Sequence, residues 1–510
     1  MKNILILLLS ILLFACSKST VKDYAHANDA VKSDVFELSV GNQKIFVEKF
    51  KDISYAHIEL SQSENATLTF NNAISDYIIS PLSRNIQGDV SGKSINFSLP
   101  GAGYYIVTVN EDEKLFILAD SPLISPFKEG ENKDYVSIKK YTTDDTGAVL
   151  QTDQVQKALD EIAGTGKTLY FEPGIYKTGM LKISSNTNIY LEEGAMIKGS
   201  DDRADYPTDE NKLESDKVNN PDNFTDNGEF MTFSRLIFVD DAENVNISGR
   251  GVIDGNGTVV RAQGKPANLI RVRNSKNVTI EGVILRDPAA WNTHILYSSD
   301  VTIRNVKVLN DFDVANTDGF DPDASKNVFI ENCFAYCNDD NIAIKTTNNG
   351  NYLQNLENIQ IKGCVFYTKK SALKVGTETK ADLMSNILFE DNDVIECDRG
   401  LVLYCNDGAT FQDVKFINNR IERSHNKGQQ RGIHFSIKDR YGKGQIKDIL
   451  IKDCVFYSAF PKESEVYGLS EEHLVENITI ENLIIGDKKV MSLEEAGIKV
   501  NKFTESITFK

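Results

Sequence analysis

The sequence predicts an all-β fold: a right-handed parallel β-helix with an N-terminal capping helix, preceded by a small β-sandwich. Three observations lead there. One short alternating pattern recurs nine times from Asn244 onward. A stretch with helical spacing precedes the repeats. Residues 33–125 alternate as well but lack the repeat.

The repeat is explicit. It reads NVNISGRGV at Asn244, NVTIEGVIL at Asn277, DVTIRNVKV at Asp300, NVFIENCFA at Asn327 and NIQIKGCVF at Asn358. It continues as NILFEDNDV at Asn386, DVKFINNRI at Asp413, DILIKDCVF at Asp448 and NITIENLII at Asn477. Starts are 23 to 35 residues apart. A repeat of this length means stacked units, none of which buries its apolar face alone. Period-two alternation reads as strand. Strands joined by turns, without crossover helices, then stack as coils about 4.8 Å apart. The leading Asn or Asp suits a turn, its side chain bonding nearby backbone. Cys333, Cys364 and Cys454 share the seventh position, which predicts an inward stack of small residues. With Cys337, Cys397 and Cys405 they form no CxxC pair, so buried free thiols are expected.

In TDQVQKALDEIAGTGK, Val155, Ala158, Leu159 and Ile162 have helical spacing. Thr152 or Asp153 is the expected N-cap, and Gly164 and Gly166 end the helix. Such a helix would cover the open end of the coils, where unpaired strands are a hazard. Residues 202–233 read as a long polar loop. HIELS, ATLTF, SINFSLP, GYYIVTV and KLFILAD are the strands of the expected sandwich. SPLISPFKEGENKDY links it to the β-helix, assigned to residues 135–510.

The chain begins MKNILILLLSILLFAC. The apolar run from Ile4 to Phe14 is too short to span a bilayer and reads as an export signal. Leu13-Phe14-Ala15-Cys16 resembles a bacterial lipobox, which implies cleavage before Cys16 and lipidation of its sulfur. The expectation is a cell-envelope lipoprotein, tethered to the outer membrane by lipid alone, with a signal peptide at 1–15 and a linker at 16–32. Net charge is −18 over 510 residues, which argues against nucleic acid as a partner. A monomer acting on a polysaccharide or oligosaccharide is expected.

Asp318 is followed 21 residues later by Asp339 and then by Asp340. That interval is close to one coil, so the carboxylates would lie one above another. Like charges so close are costly unless something uses or offsets them. Glycoside hydrolysis uses such a set, one carboxyl as acid and another activating water. Asp339 and Asp340 serve one site only if the backbone bends there, since neighbours in a strand face opposite ways. The five aspartates from Asp311 to Asp323 lack calcium-loop spacing, so no metal or other cofactor is expected.

Asn316-Thr317-Asp318-Gly319-Phe320-Asp321 and Asp339-Asp340-Asn341-Ile342-Ala343-Ile344-Lys345 resemble the N-T-D-G-[IF]-D and D-D-x-I-A-I-K elements of family 28 glycoside hydrolases, the polygalacturonase group. The resemblance covers most of residues 135–510. It implies an inverting hydrolase with Asp339 as general acid and Asp318 and Asp340 activating water. Lys345, in the second element, and Arg399 are candidate substrate-binding residues, as is His294, which lies where family members often face the cleft. Two elements depart from the family. Ser371 stands where its G-H-G histidine belongs. Val402 and Tyr404, after Arg399, replace the arginine and lysine that grip a galacturonate carboxylate. A substrate other than unmodified galacturonan is therefore expected. Family 49, the dextranase group, is a neighbouring resemblance that pairs a β-sandwich with a β-helix.

RSHNKGQQRGIHFSIKDRYGK, from Arg423, holds six Lys or Arg, two His and one acid. Either it is a solvated loop, or Arg431 and His434 belong to a subsite for anionic sugar groups, with Lys370 and Lys374 adding to the field. Trp291 is the one tryptophan, a candidate to stack on a sugar ring. Two other functions stay open: a polysaccharide lyase, which needs a basic residue as its base, and a surface glycan-binding protein without catalysis.

Overall fold

The computed structural model describes residues 20–110, 113–123, 134–207, 234–264, 267–347 and 354–510. The expected signal peptide, Cys16, most of the linker at 121–135 and the 208–233 part of the polar loop lie outside them.

Residues 135–510 form a parallel β-helix of three sheets, with 13, 13 and 11 strands. One coil runs through Ser299–Arg304 in the first sheet, Lys307–Leu309 in the second and Phe320–Asp323 in the third, then returns at Lys326–Glu331. Every repeat lies on the first sheet, and its sequence code has a conformational cause. All nine leading residues take a left-handed backbone, from Asn327 at φ 53° to Asp448 at φ 59°. The sixth position does too: Gly249, Gly282, Asn305, Asn332, Gly363, Asp391, Asn418, Asp453 and Asn482. Glycine, Asn and Asp tolerate this region best. The leading side chains chiefly bond each other rather than backbone. Asn277 donates to Asn244 at 2.7 Å, Asn327 to Asp300 at 2.8 Å and Asn358 to Asn327 at 2.8 Å. The ladder of side chains replaces the local turn bonding expected from sequence.

Cys333, Cys364 and Cys454 are buried free thiols, as are the other three cysteines of the coils. Their stack is not purely apolar. Asn392 and Asn419 hold the same repeat position, and Asn392 Nδ2 donates to Asn419 Oδ1 at 2.9 Å. Such a pair persists in the core because backbone satisfies the remaining amide groups: Asn392 Nδ2 donates to Ile361 O at 3.0 Å, Asn419 Nδ2 to Phe389 O at 2.9 Å, and Asn392 Oδ1 accepts from Cys364 N at 3.0 Å.

Helix α1 spans Thr152–Ile162 and buries Val155, Ala158, Leu159 and Ile162. These join the β-helix core beside Leu169, Phe171 and Leu181. Its cap differs from the expectation. Gln151 is the N-cap residue, and its side chain turns back to accept from Thr143 N at 2.7 Å. Thr152 Oγ1 instead accepts from Gly179 N at 2.8 Å, so coil contacts override local capping.

The N-terminal domain is a sandwich of a seven-stranded and a five-stranded sheet. Phe36, Leu38, Leu68 and Phe97 from one sheet meet Ala56, Ile58, Val107 and Ile117 from the other. Pairing begins at Val21–Asp23, against Ile58–Leu60. Val31–Lys32 also pairs. Both strands, of 3 and 2 residues, fall within the stretch assigned to a linker; Val21 is buried there, and that burial holds its strand in the sheet.

The larger sheet has a second apolar face. Phe50, Ile53, Tyr55, Tyr104, Phe116 and Leu118 pack on Phe312, Phe334, Tyr336 and Tyr367 of the β-helix. Polar clasps flank this contact. Arg286 of the β-helix reaches Glu48 at 2.7 Å and Asp254 at 2.6 Å. Asp120 of the sandwich meets Lys307 at 2.7 Å and Arg250 at 3.1 Å. Buried ion pairs add little net stability, but losing one partner costs about 3–5 kcal/mol, so they fix how the domains meet.

Candidate active site

The turns joining the second sheet to the third carry the acids. Asp339 and Asp340 lie between Phe334–Cys337 and Ile342–Thr346, in a turn, so the backbone bends where the sequence required it to. Asp318 ends the corresponding turn one coil earlier, and Gly319 N donates to Asp340 O at 2.9 Å across the coils. One oxygen from each of the three carboxylates lies within 4.8 Å of the others. Two full charges at that distance repel by about 3–4 kcal/mol at an effective dielectric constant of ~20. The site therefore needs counter-charges.

They are present. Lys374 Nζ donates to Asp340 Oδ2 at 2.5 Å, Ser371 N donates to its Oδ1 at 2.8 Å, and Arg399 stands 3.9 Å away. Burial pushes the Asp340 carboxyl up, but Lys374 and Arg399 outweigh it and hold it at about 2. Lys345 Nζ lies 2.8 Å from Asp321 and 3.5 Å from Asp318. It also sits 3.8 Å above the Trp291 ring. Burial raises Asp321 to about 6 against the pull of Lys345. Asp318 is raised as well, by burial and then by Asp321.

Asp339 is different. Among the described residues no cation comes within ion-pair distance of its carboxylate. Burial and then Asp340 raise it, with Lys374 and Lys370 opposing at longer range. It is less buried than Asp318 or Asp340. Adjacent carboxyls are thus driven apart, one ionised and one inclined to keep its proton.

Backbone anchors hold this geometry. Asn310, buried, donates to Thr317 O at 2.8 Å and to Asp318 O at 3.3 Å, and it accepts from Asn292 at 2.9 Å. Neither asparagine stood out in the sequence; both occupy turns rather than the repeat. Thr368 Oγ1 donates to Asp339 O.

The other candidates separate. Trp291, Lys345, Lys374 and Arg399 belong to the cluster, and exposed Lys370 adjoins it. His294 stands on the same face of the third sheet as Asp321 and packs edge-on against Trp291, ring centroids 5.0 Å apart. It is fully buried, accepts from Arg271 at 3.1 Å and pairs with Asp323 at 2.9 Å. Burial and Arg271 push it down to about 4, so it is a covered, neutral histidine beside the cluster. Arg431 and His434 lie further along the third sheet, Arg431 beside Arg399 and His434 two strands from Lys374. Both meet Glu465, at 2.8 and 3.6 Å. The basic stretch from Arg423 to Lys443 is largely neutralised from neighbouring coils. Arg423 and His425 meet Glu396 at 2.8 and 2.7 Å, and Arg440 meets Asp407 at 2.6 Å. The sequence suggested a cationic patch; most of its charge is spent in ion pairs.

Clustered carboxylates on a turn edge of a parallel β-helix can supply the acid and the base that glycoside hydrolysis uses. Residues 218–498 match the model of glycosyl hydrolases family 28, and the chain belongs to that family. Among curated relatives, a probable polygalacturonase of Vitis vinifera is 28% identical over 39% of this chain and 42% of its own length. The exo-poly-alpha-D-galacturonosidase of Dickeya chrysanthemi is 25% identical over 52% of this chain and 51% of its own. The chain thus spans about half the length of these relatives. Two solved structures share the fold. The exopolygalacturonase of Thermotoga maritima has a TM-score of 0.57 and 18% identity, over 74% of this chain and 92% of its own. Dex49A of Penicillium minioluteum has a TM-score of 0.59 and 12% identity, over 96% of both chains. The second match takes in the N-terminal sandwich as well.

Proposed function

We propose that the chain is an inverting glycoside hydrolase acting on a polysaccharide or oligosaccharide other than unmodified galacturonan. The proton on Asp339 passes to the glycosidic oxygen as the bond to the anomeric carbon breaks. Asp340, with Asp318, takes a proton from the water that attacks that carbon. The carrying observation is the uneven pairing of the clustered carboxylates: Lys374 meets Asp340 at 2.5 Å while Asp339 has no cation at ion-pair distance among the described residues, with Asp339 raised and Asp340 held down. A pair driven apart supplies acid and base together. Because Asp318 is itself raised, the water-activating work falls first on Asp340. The carboxylates are closer than the roughly 6.5–9.5 Å usual for inverting pairs, so inversion rests on the family, and the anomer of the first product tests it.

The relatives' names point to galacturonans; the wall beyond the acids argues for another sugar. Tyr404 OH bonds His434 Nδ1 at 2.7 Å, and burial, then Arg431, push His434 down to about 4. Tyr404, Val402 and His434 therefore make a neutral wall at pH 7. Lys374 and Arg399, 5.9 and 5.8 Å from the Tyr404 ring, are paired with Asp340 and Asp398. That pairing takes Lys374 and Arg399 out of reach as the free base a lyase needs, leaving exposed Lys370 as the basic group to test for that role.

Incubation with a panel of plant and algal polysaccharides, polygalacturonate included, tests this reading. It expects new reducing ends from a glycan other than polygalacturonate. Ultraviolet-absorbing unsaturated ends would make it a lyase, and no turnover would leave a binding protein. We further propose the lipid anchor at Cys16; metabolic acyl labelling that survives Cys16→Ala would refute it.

A further inference from the structure

A hairpin tip of the N-terminal domain reaches the turns that neighbour the acid cluster. Phe50 pairs with Ile53, so Lys51 and Asp52 form a two-residue turn. Lys51 has φ 50°, a region where glycine is the easy choice. A lysine there costs backbone energy, and its ammonium is used. Nζ donates to Thr258 at 2.7 Å and lies 3.2 Å from Asp287 and 3.4 Å from Asp311. Those residues belong to three successive turns on the edge that carries the acids. Asp52 accepts from Tyr336 OH. The Tyr336 ring stacks on Phe312 with centroids 4.3 Å apart and an 11° tilt.

Both tip residues therefore land on Asp311–Phe312, the start of the loop that ends in Asp318. The same point is tied to the next acid turn. Phe312 O accepts from Asn338 Nδ2 at 2.5 Å and from Lys369 Nζ at 2.6 Å, and Asn338 immediately precedes Asp339. The far end of the loop is pinned by Asn310 on Thr317 and Asp318. With both ends fixed, the separation of Asp318 from Asp339 and Asp340 is fixed.

We propose that Lys51 and Asp52 of the N-terminal domain are positioning residues for the hydrolytic site, clamping the loop that presents Asp318. The inference rests on Asp318 belonging to that site. Its test needs no substrate. Trp291 is the only tryptophan and lies under Lys345, the counter-ion of Asp318, so its emission titrates with the acid cluster. In the full chain, Lys51→Asn removes the ammonium while tolerating the left-handed backbone. It should speed hydrogen exchange over Asp311–Asp318 by at least about tenfold. It should also lower the pH midpoint of Trp291 emission, because carboxylates that move apart repel less. Asp52→Asn should act the same way through Tyr336. Lys51→Arg should restore both readouts. Ser80→Ala, which cuts a separate interdomain contact to Glu422, should change neither. Unchanged exchange and midpoint in Lys51→Asn, or equal changes in Ser80→Ala, would overturn the proposal. Wild-type turnover in an Asp318→Asn variant would instead remove the hydrolytic reading and leave these readouts as they are.

Discussion

Lys374 Nζ lies 2.5 Å from Asp340 Oδ2, and the neighbouring Asp339 carboxylate has no cation at ion-pair distance among the described residues. This asymmetry drives two adjacent, like side chains in opposite directions, Asp339 up and Asp340 down. Burial acts on both; the ammonium at Asp340 outweighs it there.

Lys374→Met should therefore move the pH profile. Without the ammonium, Asp340 rises from about 2 and binds its proton at higher pH. The acid limb of kcat/KM should shift upward by about 1–3 units, with activity best retained towards neutral pH. An unmoved acid limb would show that Asp340 is not the group ionised for turnover.

Glu422 makes the domain contact pH-dependent. It accepts from Ser80 Oγ and Leu82 N, each at 2.6 Å. Burial raises it from 4.5 to about 7, with those bonds opposing. A carboxyl raised in the folded state favours folding while protonated. Its stabilisation is complete below the ordinary value of 4.5 and is lost as pH rises through about 7. A shift of this size is worth roughly 2–4 kcal/mol. Glu422→Gln should flatten the fall in melting temperature between acid and neutral pH; an equal fall in the variant would rule the group out.

The asparagine ladder should be measurable at one rung. Asn327 has φ 53° and bonds Asp300 and Asn358. Asn327→Ala should cost about 1–2 kcal/mol in urea unfolding, and Asn327→Gly less, because only the hydrogen bonds go. Equal losses would mean that the backbone conformation contributes nothing.

These features differ in how far the sequence reveals them. The coils are legible because two local rules coincide, period-two burial and a left-handed turn that selects Asn, Asp or Gly. The acids are legible because 21 residues nearly match one coil. Third-sheet strands such as Phe320–Asp323 escape the pattern, since their residues serve the site. Whatever depends on the next coil or the other domain is hidden. Arg423 finds Glu396 27 residues back, Arg440 finds Asp407 33 back, and Lys51 meets Thr258 207 residues on. His294 reads as a cleft residue until Arg271 and Asp323 are seen to enclose it.

Glycosidic cleavage by the clustered carboxylates, as proposed, needs Asp339 as proton donor. The decisive comparison is wild type against Asp339→Asn on a glycan that the wild type depolymerises. Turnover should fall by about 10²–10⁴-fold while affinity for the glycan persists. Turnover in Asp339→Asn at the wild-type rate would contradict that role.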